Sequence, residues 1–306
     1  MRRMNFTRKD VISLFVKTGI SFLLFYLLFT NFQKRELLSV VQSTNFCVLF
    51  PAITIAFISF IPATLRWKAI LGSEFSFKEL LFLNTGSFFF GTLLPGFVFG
   101  DVYRFFAGKR SRLFFDSILL DRGVSFFFMS LAGFFVSIPL PELPFYLKFL
   151  LLLLTLTFSL FLTPFLNFPQ LKKIGKILFP SINCGSKELF LVFFYSTVFH
   201  FLGLTIWFLL GISTGLNLSI SLLISYYSLL QPVSFIPFTF QGAGLREIVL
   251  VYFSRITSEP PQKFLMLGLL ITSLLFMVAI LCGMITGYRW IKSTLYIHTR
   301  DRHLSP

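Results

Sequence analysis

The chain has 306 residues, 56% hydrophobic and 13% charged, with a mean hydropathy of +0.83. A soluble domain carries about 25% charged residues, so the composition excludes a water-soluble enzyme and points to an integral membrane protein. The formal net charge of +15 arises from 27 Lys and Arg against 12 Asp and Glu; most of it sits in short loops beside apolar segments, as the positive-inside rule describes, and implies no nucleic-acid partner.

Arg2, Arg3, Arg8 and Lys9 precede an apolar run from Val11 to about Thr30. A cleavable signal has an apolar region of roughly 7–15 residues and a small-residue cleavage site. This run is longer and Asn31-Phe32-Gln33 offers no such site, so a first transmembrane helix is expected. Further apolar segments fall near 46–65, 78–100, 117–138, 145–165, 189–211, 218–240 and 264–288. From Leu189 to Leu245 there is no Asp, Glu, Lys or Arg, which leaves room for two passes of roughly 20 residues each. The 46 phenylalanines read as lipid-facing and packing bulk. Arg66-Trp67-Lys68 reads as an aromatic–basic interface anchor, with Arg66 a weaker site candidate. The stretch from Leu171 to Phe179 reads as a basic amphipathic segment on the inner leaflet.

Two of the apolar segments end in variants of one motif. Pro95-Gly96-Phe97-Val98-Phe99-Gly100-Asp101-Val102-Tyr103-Arg104 and Pro237-Phe238-Thr239-Phe240-Gln241-Gly242-Ala243-Gly244-Leu245-Arg246-Glu247 both follow Pro-x4-Gly-x3-Arg, at a constant offset of 142 residues. Paired helix breaks, one per half of a membrane protein, mark transport sites. At the first, Pro95, Gly96 and Gly100 break the helix, and Asp101 is placed to cap a short helix from Val102 that carries Arg104. A cap with an interfacial arginine on lipid phosphate and a cavity-lining site both fit these residues. At the second, Gly242 and Gly244 let backbone amides converge on an anion, and Arg246 can grip a phosphate with two donors. Glu247 then pairs with Arg246 or Arg104, or binds a coupling proton; an interfacial turn is the alternative. Asp121-Arg122 opens the fourth segment, either as a headgroup-level pair or with Arg122 facing the cavity beside Arg104.

Charge decides between topologies. If all eight segments span, Lys109, Arg110, Arg112 and Lys172, Lys173, Lys176, Lys187 fall outside, against the positive-inside rule. With the third and seventh segments as re-entrant hairpins, only Lys34, Arg35, Lys148, Arg246, Arg255 and Lys263 of the 27 basic residues face outward. The expected fold is therefore an all-α polytopic membrane protein of about six full transmembrane helices and two broken re-entrant hairpins. It forms a single membrane domain over 1–306, with inverted repeats over 9–142 and 143–290 and a cytoplasmic tail over 291–306. Non-helical backbone at membrane depth survives only where protein or a water-filled cavity satisfies it, so a central polar cavity follows. Cys47, Cys184, Cys282, His200, His298 and His303 show no ligand spacing, so no metal, cofactor or disulfide framework is expected. His200, in mid-segment, reads as a packing histidine or a proton relay.

Arg66-Trp67, Asn84, Pro95, Gly100-Asp101-x-x-Arg104, Asp121-Arg122 and Pro237…Gly242-x-Gly244-x-Arg246-Glu247 together resemble the flippase-type transmembrane domain of bacterial lysylphosphatidylglycerol synthases over roughly 10–290. The family often has Gly-Gly-Asp at Phe99-Gly100-Asp101 and Glu-Arg at Asp121-Arg122; the charges are kept. The resemblance implies a translocation module without the soluble aminoacyl-transferase domain, so no enzymatic activity is expected. It implies a multi-pass protein of the inner (cytoplasmic) membrane, both termini cytoplasmic, that moves or binds an anionic phospholipid or polyprenyl-phosphate lipid. Arg104, Arg122 and Arg246 would hold the phosphate, with Asp101 and Glu247 balancing the empty cavity and Gly100, Gly242 and Gly244 shaping the site. A non-transporting subunit that recruits a lipid-modifying enzyme is the alternative. An intramembrane transferase would need acidic clusters for metal-bound diphosphate, whereas the acidic residues here are scattered.

Overall fold

The computed structural model describes residues 26, 30, 34–94, 98–166, 169–235, 239–257 and 259–302. The expected first span, 11–30, lies almost wholly outside them, as do Pro95, Gly96, Phe97, Pro237 and Phe238 of the two breaks. The described residues form helices and connecting turns, without strands. In chain order the α-helices are α1 (Lys34–Ser43), α2 (Leu49–Leu71), α3 (Phe77–Leu93), α4 (Val98–Ala107), α5 (Arg112–Ser137), α6 (Phe145–Ser159), α7 (Pro169–Leu178), α8 (Ser186–Ser213), α9 (Ile220–Leu230), α10 (Leu245–Phe253) and α11 (Pro261–Arg302). Short 3₁₀ turns extend α2 at its start and α6 at its end.

Among the described residues, five segments are long and apolar enough to cross a bilayer: Phe46–Leu71, Arg112–Ser137, Phe145–Phe165, Ser186–Ser213 and Pro261–Tyr288. Their outer faces carry exposed Phe50, Phe135, Phe149, Phe190, Phe201 and Phe208, large apolar side chains that belong against lipid rather than water. The chain is a multi-pass membrane protein. Helix α5 starts five residues before the expected 117, because the Ser111 side chain accepts from the Phe114 amide and caps the new N-terminus. Helix α11 continues without interruption to Arg302.

Between the long helices lie two pairs of short ones, α3–α4 and α9–α10. A ten-residue helix rises only about 15 Å, half the hydrocarbon thickness, so α4, α9 and α10 are too short to span. Each pair is closed by a stacked aromatic contact: Phe90 on Tyr103 in the first, with centroids 4.8 Å apart, and Tyr226 on Phe253 in the second, at 4.2 Å. The start of α3 is fixed by a capping box in which Ser76 and Glu79 satisfy one another's amides.

The packing of the two halves is reciprocal. Helix α3 of the first pair lies on α11 of the second half, while α9 of the second pair lies on α5 of the first, and α2 packs along α8. A glycine opens each crossed contact. A Cβ on Gly283 of α11 would lie 2.3 Å from the Phe89 ring, and one on Gly133 of α5 would lie 2.4 Å from the Ser228 hydroxyl. Small residues allow such close approach between membrane helices, where dispersion and hydrogen bonds replace the hydrophobic drive. The Ser228 hydroxyl uses that proximity to donate to the Met129 carbonyl, 3.0 Å away. At the centre the two breaks touch, the Thr92 hydroxyl donating to Gln241 Oε1 at 2.8 Å.

The amphipathic segment is helix α7. Gly175 sits against the backbone of Thr163 and Pro164, closer than a side chain would permit, and docks the helix onto the end of the preceding span. Lys172, Lys173, Lys176 and Ile177 remain exposed.

Candidate functional site

A cavity of about 240 Å³ lies between the two helix pairs and the long helices α2, α5, α8 and α11. Four arginines line it: Arg66 from α2, Arg104 from α4, Arg122 from α5 and Arg246 from α10. Asn84, Ser87, Ser125, His200, Tyr227 and Gln241 add polar groups to the wall, and Phe60, Phe88 and Trp207 add apolar ones.

Two carboxylates hold the first three arginines, in a crossed arrangement. Successive helix residues point about 100° apart, so Asp121 and its neighbour Arg122 face different partners. Asp121 accepts from Arg66 Nε at 2.7 Å on one oxygen and from Arg104 Nη1 at 3.4 Å on the other. Arg122 meets Asp101 Oδ1 through Nη2 at 3.0 Å and Nε at 3.2 Å, and Arg104 lies 3.7 Å from the same oxygen. Burying such charges costs free energy unless each is paired and its remaining donors are met. Here two carboxylates serve three guanidinium groups. The Arg104 guanidinium also lies over the Trp67 ring, 4.7 Å from its centroid, and Arg66 lies 5.3 Å from that of Phe199.

This corrects the reading of Arg66-Trp67 as an interface anchor. Arg66 is 2% exposed and Trp67 is fully buried, its indole N–H donating to the Ser117 hydroxyl at 3.0 Å. The cause is the packing of α5 on α2, which sets Ser117 and Asp121 against Trp67 and Arg66. Asp121, 1% exposed, meets Arg66 and Arg104, while Arg122 meets Asp101. Asp101 lies in the first turn of α4, which begins at Val98 and not at the expected Val102.

Arg246 is held differently. Gln241, Gly242 and Gly244 have φ of 49°, 86° and 87°, a region that favours glycine, and they fold 239–246 into a tight turn. Within it the Gly242 amide donates to the Thr239 hydroxyl at 3.0 Å, and that of Ala243 to the Phe240 carbonyl at 2.9 Å. The Gly244 amide donates to the Glu247 carboxylate at 2.6 Å, and that of Arg246 to the Gly242 carbonyl at 2.7 Å. These amides, expected to converge on an anion, are therefore engaged inside the turn, and the cationic contribution of this break is the Arg246 side chain. Arg246 donates to the Gln241 carbonyl and, at 3.2 Å, to the Thr272 hydroxyl. That hydroxyl in turn donates to Glu247 Oε1 at 2.6 Å. Glu247, fully buried, thus reaches Arg246 through Thr272 as well as along the chain.

Of the expected site residues, Arg104, Arg122 and Arg246 meet at one cavity. Asp101 and Glu247 stand behind it, holding arginines or the turn. Gly100 is a packing glycine: a Cβ there would lie 2.4 Å from the Ser87 carbonyl oxygen. Sequence reasoning passed over Asp121 as an arginine holder and ranked Arg66 too low. The available signal was an arginine and an aspartate, both inside apolar segments, each needing a partner. His200 places Nε2 at 3.0 Å from the Ser125 carbonyl and 3.1 Å from its hydroxyl. No cluster of His, Cys, Asp and Glu suited to a metal occurs among the described residues.

Two pairs of short helices and four long ones, meeting at a cavity to which four arginines contribute, define a polytopic membrane protein. The chain matches the model of the lysylphosphatidylglycerol synthase TM region over residues 14–283 and belongs to that family, which gives it a membrane, lipid-related role. No curated protein and no solved structure matches it.

Proposed function

We propose that this protein binds an anionic lipid by its headgroup phosphate in the arginine-lined cavity and moves it between leaflets. The observation that carries the reading is that both halves of the chain deliver arginines to one cavity. An intramembrane ionisable residue is expensive and marks a substrate pathway by default, and a guanidinium fork matches phosphate geometry. The first pair of short helices supplies Arg104 and the second supplies Arg246, so a phosphate between them bridges the two repeats, 9–142 and 143–290. On this reading the helix pairs are re-entrant hairpins that approach from opposite faces of the cytoplasmic membrane, with both termini cytoplasmic, and no covalent step is assigned to the site. Beside the cavity, a separate cleft of about 830 Å³ lined by Phe75, Leu80, Phe89, Phe90 and Tyr103 offers an apolar path for acyl chains.

The test is leaflet-resolved lipid transport in liposomes carrying the purified protein. Arg104→Ala and Arg246→Ala are expected to abolish transport of an anionic phospholipid; unchanged rates in both would sink the assignment.

A static lipid-binding subunit is the second reading, favoured by the Thr92–Gln241 hydrogen bond that ties the two breaks together. Cysteines at positions 92 and 241 joined by a bifunctional thiol reagent separate the two. A transporter stops moving lipid while still binding it, and a static binder is unaffected.

A further inference from the structure

The apolar cleft beside the central cavity also has the measure of a binding site for a whole lipid. Its volume is about 830 Å³. Helix α3 forms one wall, α4 and the start of α5 a second, and α11 a third. At its deep end Phe90 stacks on Tyr103, and the Phe89 ring lies against Gly283. At the other end stand Phe75, Glu79, Lys109 and Gly287.

Two observations place the cleft in the bilayer. The long segments Phe46–Leu71, Arg112–Ser137 and Pro261–Tyr288 begin or end within a few residues of that second end, which therefore lies at the membrane surface. From Glu79 to Phe90 helix α3 rises about 16 Å, half of a hydrocarbon core about 30 Å thick. The cleft is thus one leaflet deep. Its wall is aromatic and aliphatic, and the Thr286 hydroxyl turns back to donate to the Cys282 carbonyl of its own helix at 2.8 Å.

The mouth carries one charge of each sign. The Lys109 ammonium sits over the Phe75 ring, 4.3 Å from its centroid. The Glu79 carboxylate accepts from the Ser76 amide at 3.4 Å in the capping box. Among the described residues neither charge has an ion-pair partner. An apolar slot one leaflet deep, with a separate cation and anion at headgroup level, matches one phospholipid whose phosphate is followed by an ammonium.

We infer that the cleft holds one zwitterionic phospholipid with a primary amine, its acyl chain along α3 and α11, its phosphate on Lys109 and its ammonium on Glu79. The site stands apart from the phosphate reading above, since its headgroup stays at the surface and meets none of the four arginines. An anionic headgroup would bring no cation to the Glu79 carboxylate and binds there more weakly.

The experiment titrates short-chain phosphatidylethanolamine and phosphatidylglycerol into the full chain in detergent and counts bound lipids by native mass spectrometry. The lipid of the cleft is the one lost in Gly287→Leu: an added Cβ at Gly287 meets nothing within 4 Å, so the new side chain enters the slot and not a neighbouring helix. One phosphatidylethanolamine per chain is expected there, bound about threefold more tightly than phosphatidylglycerol, the scale of one exposed ion pair. Lys109→Gln should weaken both lipids at this site. Glu79→Gln, which still suits the capping box, should bring their ratio to one. Phosphatidylethanolamine binding that is undiminished in Gly287→Leu, or equal affinities of the two lipids at this site in the wild type, overturns the inference. So does a dimer that Gly287→Leu dissociates, which would give the cleft to a second copy of the chain. None of these outcomes bears on the phosphate reading, which Arg104→Gln and Arg246→Gln test separately.

Discussion

The two breaks carry the same Pro-x4-Gly-x3-Arg spacing but stabilise their arginines by different means. Arg104 sits among formal charges, 3.4 Å from Asp121 and 3.7 Å from Asp101, within a cluster that includes Arg66 and Arg122. Arg246 is held by the Gln241 carbonyl and the Thr272 hydroxyl, with the Glu247 carboxylate behind that hydroxyl and engaged by the turn. The difference teaches that a repeated motif fixes where a cation is delivered, not how it is neutralised. The first side is a charge network, in which losing one member strands others. The second is a hydrogen-bonded relay through one neutral hydroxyl, in which the losses should be smaller.

The largest expected effect comes from breaking the network. Asp121→Ala leaves Arg66 without its 2.7 Å partner and Arg104 with only the longer contact to Asp101, and uncompensated buried charge typically costs about 3–5 kcal/mol. Unfolding in detergent should register this as a large loss of stability; a variant as stable as the wild type would mean the cluster is not a single network. On the other side, Gly244→Ala places a Cβ at φ 87°, a strain of about 1–3 kcal/mol that the same unfolding assay should detect. Thr272→Val removes the relay while keeping the side-chain volume, and is expected to cost about 1 kcal/mol. If it costs as much as Asp121→Ala, the contrast between the two sides is wrong.

The smallest effect lies outside the cavity. In the loop before α11, the hydrogen bond from Lys263, 2.8 Å away, holds the Glu259 carboxyl below its usual range, helped by the Asn217 amide. A lowered carboxylate adds stability above its unfolded value and loses it as pH falls through the folded one. The Tm difference between the wild type and Glu259→Gln should therefore be small and positive at neutral pH and vanish under acid. A difference that grows on acidification would contradict this.

Much of the architecture was legible because it follows from length and hydropathy. The long spans, the two interrupted segments and the amphipathic stretch at α7 all appear in the sequence as runs and breaks. Arg104, Arg122 and Arg246 were legible because a charge at the end of an apolar segment is costly and therefore noticed. What the sequence hid was pairing. Arg66 and Asp121 lie 55 residues apart and meet only when α2 packs on α5. The adjacent Asp121-Arg122 suggested a local pair that the helical turn forbids. The glycines of the second break were read correctly as backbone freedom, but the turn itself engages the amides that this freedom exposes. His200 reads from sequence as a packing histidine or a proton relay and Asn84 only as part of the family resemblance, because a single polar residue in an apolar run looks alike whether it packs or lines a cavity.

The central claim is that arginines from both halves hold one lipid phosphate. Native mass spectrometry of the gently purified chain tests it directly. The wild type is expected to retain an anionic phospholipid, and Arg104→Gln and Arg246→Gln, each from a different half, should each lose it. Retention of the same lipid by both variants would contradict the claim.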